Sequence, residues 1–132
     1  MEDKRLERLY DYTKWHLGIY LSVAGALTAA AGYLAEGMKA QRLSPYIDKP
    51  LLLVSAVALM FAAGACGGVI ASSCTECVTY DELWNQRHGP FGFRILEGRH
   101  WAAMEHLFFW LSVTCAAIAV LSTRPVITWL TS

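Results

Sequence analysis

Charge is scarce in this sequence. Only 17% of its 132 residues are Asp, Glu, Lys or Arg, where a soluble domain carries roughly a quarter. The 11 basic and 11 acidic residues cancel. A balanced chain lacks the one-signed basic face that a phosphate backbone demands, which argues against duplex nucleic acid as a partner. Cysteine is scarce as well. There are four, two of them inside apolar runs, too few for a secreted disulfide scaffold. The sequence holds no glycine-rich phosphate loop, no H-E-x-x-H, no serine elbow and no pair of carboxylates within one apolar run. No enzyme activity, metal site or cofactor is therefore expected.

Apolar residues are what the chain has in excess. They make up 55% of it, and the mean hydropathy is +0.35. That content excludes disorder. It predicts an all-α integral membrane protein forming a single membrane domain.

Three runs can form helices across a bilayer core about 30 Å thick, which takes roughly 20 residues. The first is 17–35 and the second 51–73, both free of charge. Pro50 suits the first turn of the second helix, where its missing donor would be orphaned anyway. The third is 101–122, with Glu105 and His106 near its start and Arg124 and Pro125 beyond its end. In the first run, Leu17, Ile19, Leu21, Val23, Leu27 and Leu34 supply about −3 kcal/mol of insertion energy in sum. That is modest, so neighbouring helices are expected to share the work. Residues 1–16 read as a charged amphipathic helix continuing into the first span, with Leu6, Leu9, Tyr10 and Thr13 on one face. Residues 74–100 form a loop with a turn at His88-Gly89-Pro90-Phe91-Gly92, and 123–132 an interfacial tail. Seven basic residues on the side of the N-terminus and second loop, against four on the other, place the N-terminus in the cytoplasm. Trp15, Tyr20, Tyr33, Trp101 and Trp129 fall near span ends, as an aromatic belt requires.

Small residues recur at helical spacing. Ser22, Gly25, Ala29 and Gly32 share one face of the first span, and Gly64 and Gly68 form a G-x-x-x-G in the second. Ser112, Ala116 and Ala119 do the same in the third. Gly25, Gly32, Gly64 and Gly68 are thus candidate packing positions, because small faces let backbones approach closely in lipid. Three helices bury little against each other, so a homo-oligomer is expected. Ser22, Thr28, Ser55, Glu105 and His106 are the polar groups available to line a path. A polar path must be screened from lipid, so it needs about four protomers or more. Lys4, Arg5, Glu7, Arg8 and Asp11 form like-signed ridges on the N-terminal helix, a charged plug or vestibule in a ring of protomers. The alternative is a solvated helix lying on the membrane.

Several short motifs compete with this reading. Cys74-Thr-Glu-Cys77 is a C-x-x-C pair at the predicted water boundary, a dithiol or half of a zinc site completed by His88 and His100. It resembles the pair of vitamin K epoxide reductase-type membrane thiol oxidases, although Cys66 and Cys115 fall within spans here. Arg94 to His100 resembles the R-x4-6-H pattern of HEPN ribonucleases, but Gly98 interrupts the helix that pattern needs.

The charged helix running through Leu9-Tyr10-Asp11-Tyr12-Thr13-Lys14-Trp15-His16-Leu17-Gly18-Ile19-Tyr20 into alanine- and glycine-rich spans resembles the small membrane effectors of bacterial anti-phage systems. SLATT-type proteins and the transmembrane effector of the Hailong system share this layout, over roughly residues 5–35. The resemblance implies a homo-oligomeric pore in the bacterial inner membrane that disrupts membrane potential. It also implies a nucleotide-derived signal ligand on basic cytoplasmic residues, with Arg87, Arg94 and Arg99 as candidates. A membrane thiol–disulfide oxidoreductase using Cys74 and Cys77, or a non-conducting accessory subunit, are the alternatives.

Overall fold

The computed structural model describes residues 4–39, 50–122 and 129. The chain is mostly helical. Helix α1 (Lys4–Lys39) is 36 residues long, α2 (Pro50–Cys74) 25 and α4 (Gly98–Leu121) 24. Between α2 and α4 stands a small cap: α3 (Tyr80–Asn85), then strands β1 (Arg87–His88) and β2 (Leu96–Glu97) joined through a helical turn at Pro90–Gly92. The expected tail and the connection after α1 lie outside the described residues, apart from Trp129.

Helix α1 runs without a break through the charged N-terminal segment into the apolar run. No proline interrupts it, and at 1.5 Å per residue it is about 54 Å long. Two helices, α2 and α4, are long and apolar enough to cross a membrane. The bounds of α2 bracket the expected run 51–73, whereas α4 is shifted against 101–122: it starts earlier, at Gly98, taking in Arg99 and His100, and ends at Leu121.

Helix α2 lies between α1 and α4. Its core face is built from small and slender residues: Ala56, Met60, Ala63, Cys66, Gly67 and Ile70 are buried. One cluster joins Tyr20 and Ala24 of α1 to Met60 and Ala63 of α2, with Phe108 and Phe109 of α4 against it. A second joins Leu6 of α1 to Ile70 and Cys74 of α2 and Leu83 of the cap. The charged N-terminal segment is therefore packed by Leu6 and Thr13 rather than solvated all round. Helix α4 differs in kind. It leaves Leu107, Trp110, Leu111, Val113, Ile118, Val120 and Leu121 exposed.

The cap is fixed by local chemistry. Thr79 is the N-cap of α3, its hydroxyl accepting from the Glu82 backbone N–H at 3.2 Å. The Glu82 carboxylate reaches back to accept from the Val78 N–H at 2.9 Å. This is a close relative of the capping box, which satisfies helix-end donors reciprocally. The strands pair antiparallel, Arg87 with Glu97 and His88 with Leu96. The Trp101 indole donates to the His88 carbonyl at 2.8 Å and ties the hairpin to α4. A Cβ on Gly98 would strike the Leu83 carbonyl, so this close approach of α4 to α3 needs glycine.

Candidate functional sites

Three features carry chemistry, and the first is a buried acid. Glu105 is only 2% exposed, and Tyr20 beside it is 2% exposed. The Tyr20 hydroxyl donates to Glu105 Oε1 at 2.9 Å, linking α1 to α4. Gly67 of α2 makes room: a Cβ there would sit 3.5 Å from the Glu105 carboxyl and 3.4 Å from Leu17. An aromatic row, Tyr12, His16, Tyr20 and Phe109, runs past the pair with successive ring centroids 3.8, 5.9 and 5.4 Å apart. An ionisable group on an apolar helix is costly, and the default reading is function. Its neighbour His106 is exposed and bonds back to the Ala102 carbonyl. The sequence brackets Glu105 and His106 together; the structure separates them onto opposite environments. Tyr20, expected in the interfacial belt, is instead the buried partner, while Trp15, Tyr33 and Trp129 are exposed.

Two of the remaining expected path-lining groups, Ser22 and Thr28, are satisfied within their own helix. Ser22 donates to the Gly18 carbonyl at 2.8 Å and Thr28 to the Ala24 carbonyl at 2.7 Å. Ser55 is half-buried. Ser112, fully buried, donates across to the Ala56 carbonyl of α2 at 2.6 Å.

The second feature is a stripe along α1. Gly18, Ser22, Gly25, Ala29 and Gly32 are all exposed. Their spacing of four, three, four and three is that of one helix seam. Nothing lies within 4 Å of a Cβ built on Gly18, Gly25 or Gly32. The stripe is on the side of α1 opposite Leu6, Thr13, Tyr20 and Ala24, which face α2. The same spacing carried toward the N-terminus selects Lys4, Arg8, Asp11 and Trp15, all exposed. Arg5 and Glu7 are exposed beside this line. Of the two glycines expected to pack in α2, a Cβ on Gly64 would sit 3.9 Å from Tyr20 Cβ, and one on Gly68 would meet open space. Gly67 stands in the sequence beside the G-x-x-x-G of α2, while Gly18 is not part of the small-residue face read there. Gly18 extends the heptad spacing and could have been found by it; Gly67 is defined only by its neighbours.

The third feature is a cavity of about 600 Å³ between the end of α2 and the cap. Arg87 and Arg94 line it together with Glu76, Glu82, Cys77 and His88. Arg99 does not join them. It pairs with Glu97 at the start of α4. Because Arg94 lies in the hairpin and His100 in α4, the R-x4-6-H pattern does not fall on one helix. Cys77 Sγ sits 3.9 Å from His88 Nε2. Burial pushes the Cys77 thiol above its ordinary value, and the carboxylates of Glu82 and Glu76 push the same way. That opposes the thiolate which dithiol chemistry requires. Both Cys74 and Cys77 are free thiols, Cys74 inside the lower core cluster. Among the described residues, no group of three His, Cys, Asp or Glu side chains is placed to hold a metal.

No protein-family model, curated protein or solved structure matches this chain.

Proposed function

We propose that this chain is the protomer of a homo-oligomeric membrane channel assembled through α1. The observation that carries the proposal is the uncovered stripe on α1, small through the apolar run and charged below it. In lipid there is little hydrophobic force between helices, so association depends on close backbone approach, and small residues at heptad spacing permit it. The mean repeat of 3.5 residues is the seam of a left-handed bundle. In this reading α1 supplies a third crossing, and α4 turns its exposed leucines, valines and tryptophan to lipid. Water would penalise so large an apolar face. Within each protomer Tyr20, Ala24, Met60 and Ala63 form a buried apolar core, so the conducting path runs between protomers, about four or more of them. Lys4, Arg8 and Asp11 then ring its cytoplasmic mouth. The architecture resembles that of anti-phage effectors, and we infer the same setting: a pore in a bacterial inner membrane that collapses its potential.

The test is Gly25→Leu with Gly32→Leu. Both positions face open space in the protomer, so the double variant should keep its helical content and lose ion flux from liposomes about 10-fold or more, the loss of one close helix contact being worth at least 1.4 kcal/mol. Unchanged flux would refute the α1 interface. Thiol–disulfide exchange at Cys74 and Cys77 has less support, given the raised Cys77 thiol.

A further inference from the structure

We propose that the cavity between α2 and the cap binds the headgroup of a zwitterionic phospholipid, with its phosphate on Arg87 and Arg94 and its ammonium on Glu76 and Glu82. The inference requires α2 and α4 to cross the membrane but not that the protein conducts.

Position is the first argument. Ser72 and Ser73, in the last turn of the apolar helix α2, line the cavity. Lipid phosphates lie just beyond the ends of the hydrocarbon core, which is where a cavity starting at this turn opens. Charge is the second. Two guanidiniums and two carboxylates share one cavity of about 600 Å³, within the usual range for small-ligand sites of about 300–1,000 Å³. A purely anionic ligand would be attracted by the arginines and repelled by the carboxylates. A zwitterion satisfies both. Glu82 is already fixed for the task, since its two oxygens accept from the Val78 N–H at 2.9 Å and the Gln86 side chain at 3.2 Å.

The rim is the third argument. Phe91 and Phe93 line the cavity yet are 98% and 65% exposed. Phe91 holds a left-handed backbone, φ 58°, which a bulky residue rarely adopts and which marks an outlier worth a functional explanation. Exposed phenylalanine rings bury at the headgroup–acyl boundary, and a ring face attracts an ammonium group. Arg94 follows directly, so the turn presents ring, ring and guanidinium to the bilayer surface together.

Native mass spectrometry of the full chain in detergent tests this, with phosphatidylethanolamine and phosphatidylglycerol added in equal amounts. The expected result is a phosphatidylethanolamine adduct favoured about 10-fold, as one charge-assisted contact of about 1.4 kcal/mol would give. Arg87→Gln with Arg94→Gln should remove that adduct. Glu76→Gln should shift the preference toward phosphatidylglycerol, a gain that a misfolded variant could not produce. Equal adducts of both lipids, or a preference unmoved by either set of substitutions, would overturn the proposal. Stabilisation by water-soluble phosphoethanolamine without any lipid adduct would overturn it too, because the ligand would then be a free metabolite. Adducts are counted per protomer in any assembly, so this result stands or falls apart from the channel reading.

Discussion

Tyr20 and Glu105 are 85 positions apart in sequence and 2.9 Å apart in the fold. Their hydrogen bond joins the two outer helices across the glycine surface of α2. Its removal leaves a buried carboxyl oxygen without its donor, the more expensive half of breaking any hydrogen bond. Tyr20→Phe keeps the ring in the core cluster and deletes only the hydroxyl. It should cost about 1–2 kcal/mol, measured as a fall in the midpoint of denaturant unfolding in detergent micelles. No change would mean that this bond does not hold α1 to α4. Glu105 was legible in the sequence, because an acid beside an apolar run stands out. Tyr20 was not. A tyrosine near a span end looks like a belt residue, and only packing against Phe109 and Ala63 turns it inward. Arg87 and Arg94 were legible as part of a basic trio with Arg99, which the structure pairs with Glu97 instead, but their two carboxylate companions were not, since a hairpin had to bring them together.

Among the elements, α1 was the most legible. An uninterrupted run from Lys4, with Leu6 and Thr13 in register for one face, forces a continuous helix, and the structure keeps it continuous to Lys39. The turn at residues 88–92 was legible from its glycine and proline, and it closes an antiparallel hairpin. Helix α3 was missed because six residues are too few to show a period. Its signal was chemical rather than periodic: Thr79 three residues before Glu82. That cap supports the whole segment between α2 and α4, because Leu83 reaches the core from it. Thr79→Ala should cost about 1 kcal/mol, the usual value of an N-cap. Amide hydrogen exchange should quicken across residues 80–98 while the centres of α2 and α4 stay protected. Uniform exchange throughout would show that the cap does not fold as its own unit. The start of α4 at Gly98 follows from the same architecture, since the glycine lets the helix begin against the Leu83 carbonyl.

At the scale of the molecule, charge and apolar surface are sorted rather than mixed. The charged residues of α1 fall at its two ends, six of them within 4–14 and Glu36 and Lys39 at the other, and Glu82, Arg87 and Arg94 of the cap line the 600 Å³ cavity. Glu105 is the exception, and it is buried. The middle of the bundle shows two different outer surfaces. That of α4 is bulky and apolar. That of α1 is lined by small residues. This asymmetry was only half legible in the sequence, because the small residues of all three runs look alike until the fold shows which are used. Gly64 and Gly67 are spent within the protomer, whereas Gly18, Gly25 and Gly32 face outward. Those three outward glycines are what the assembly proposal rests on. The most direct measurement is the mass of the purified chain in a mild detergent. The account predicts an integral multiple of the 14.6 kDa protomer, about four or more, as a screened polar path requires. A single protomer at every protein concentration would contradict it.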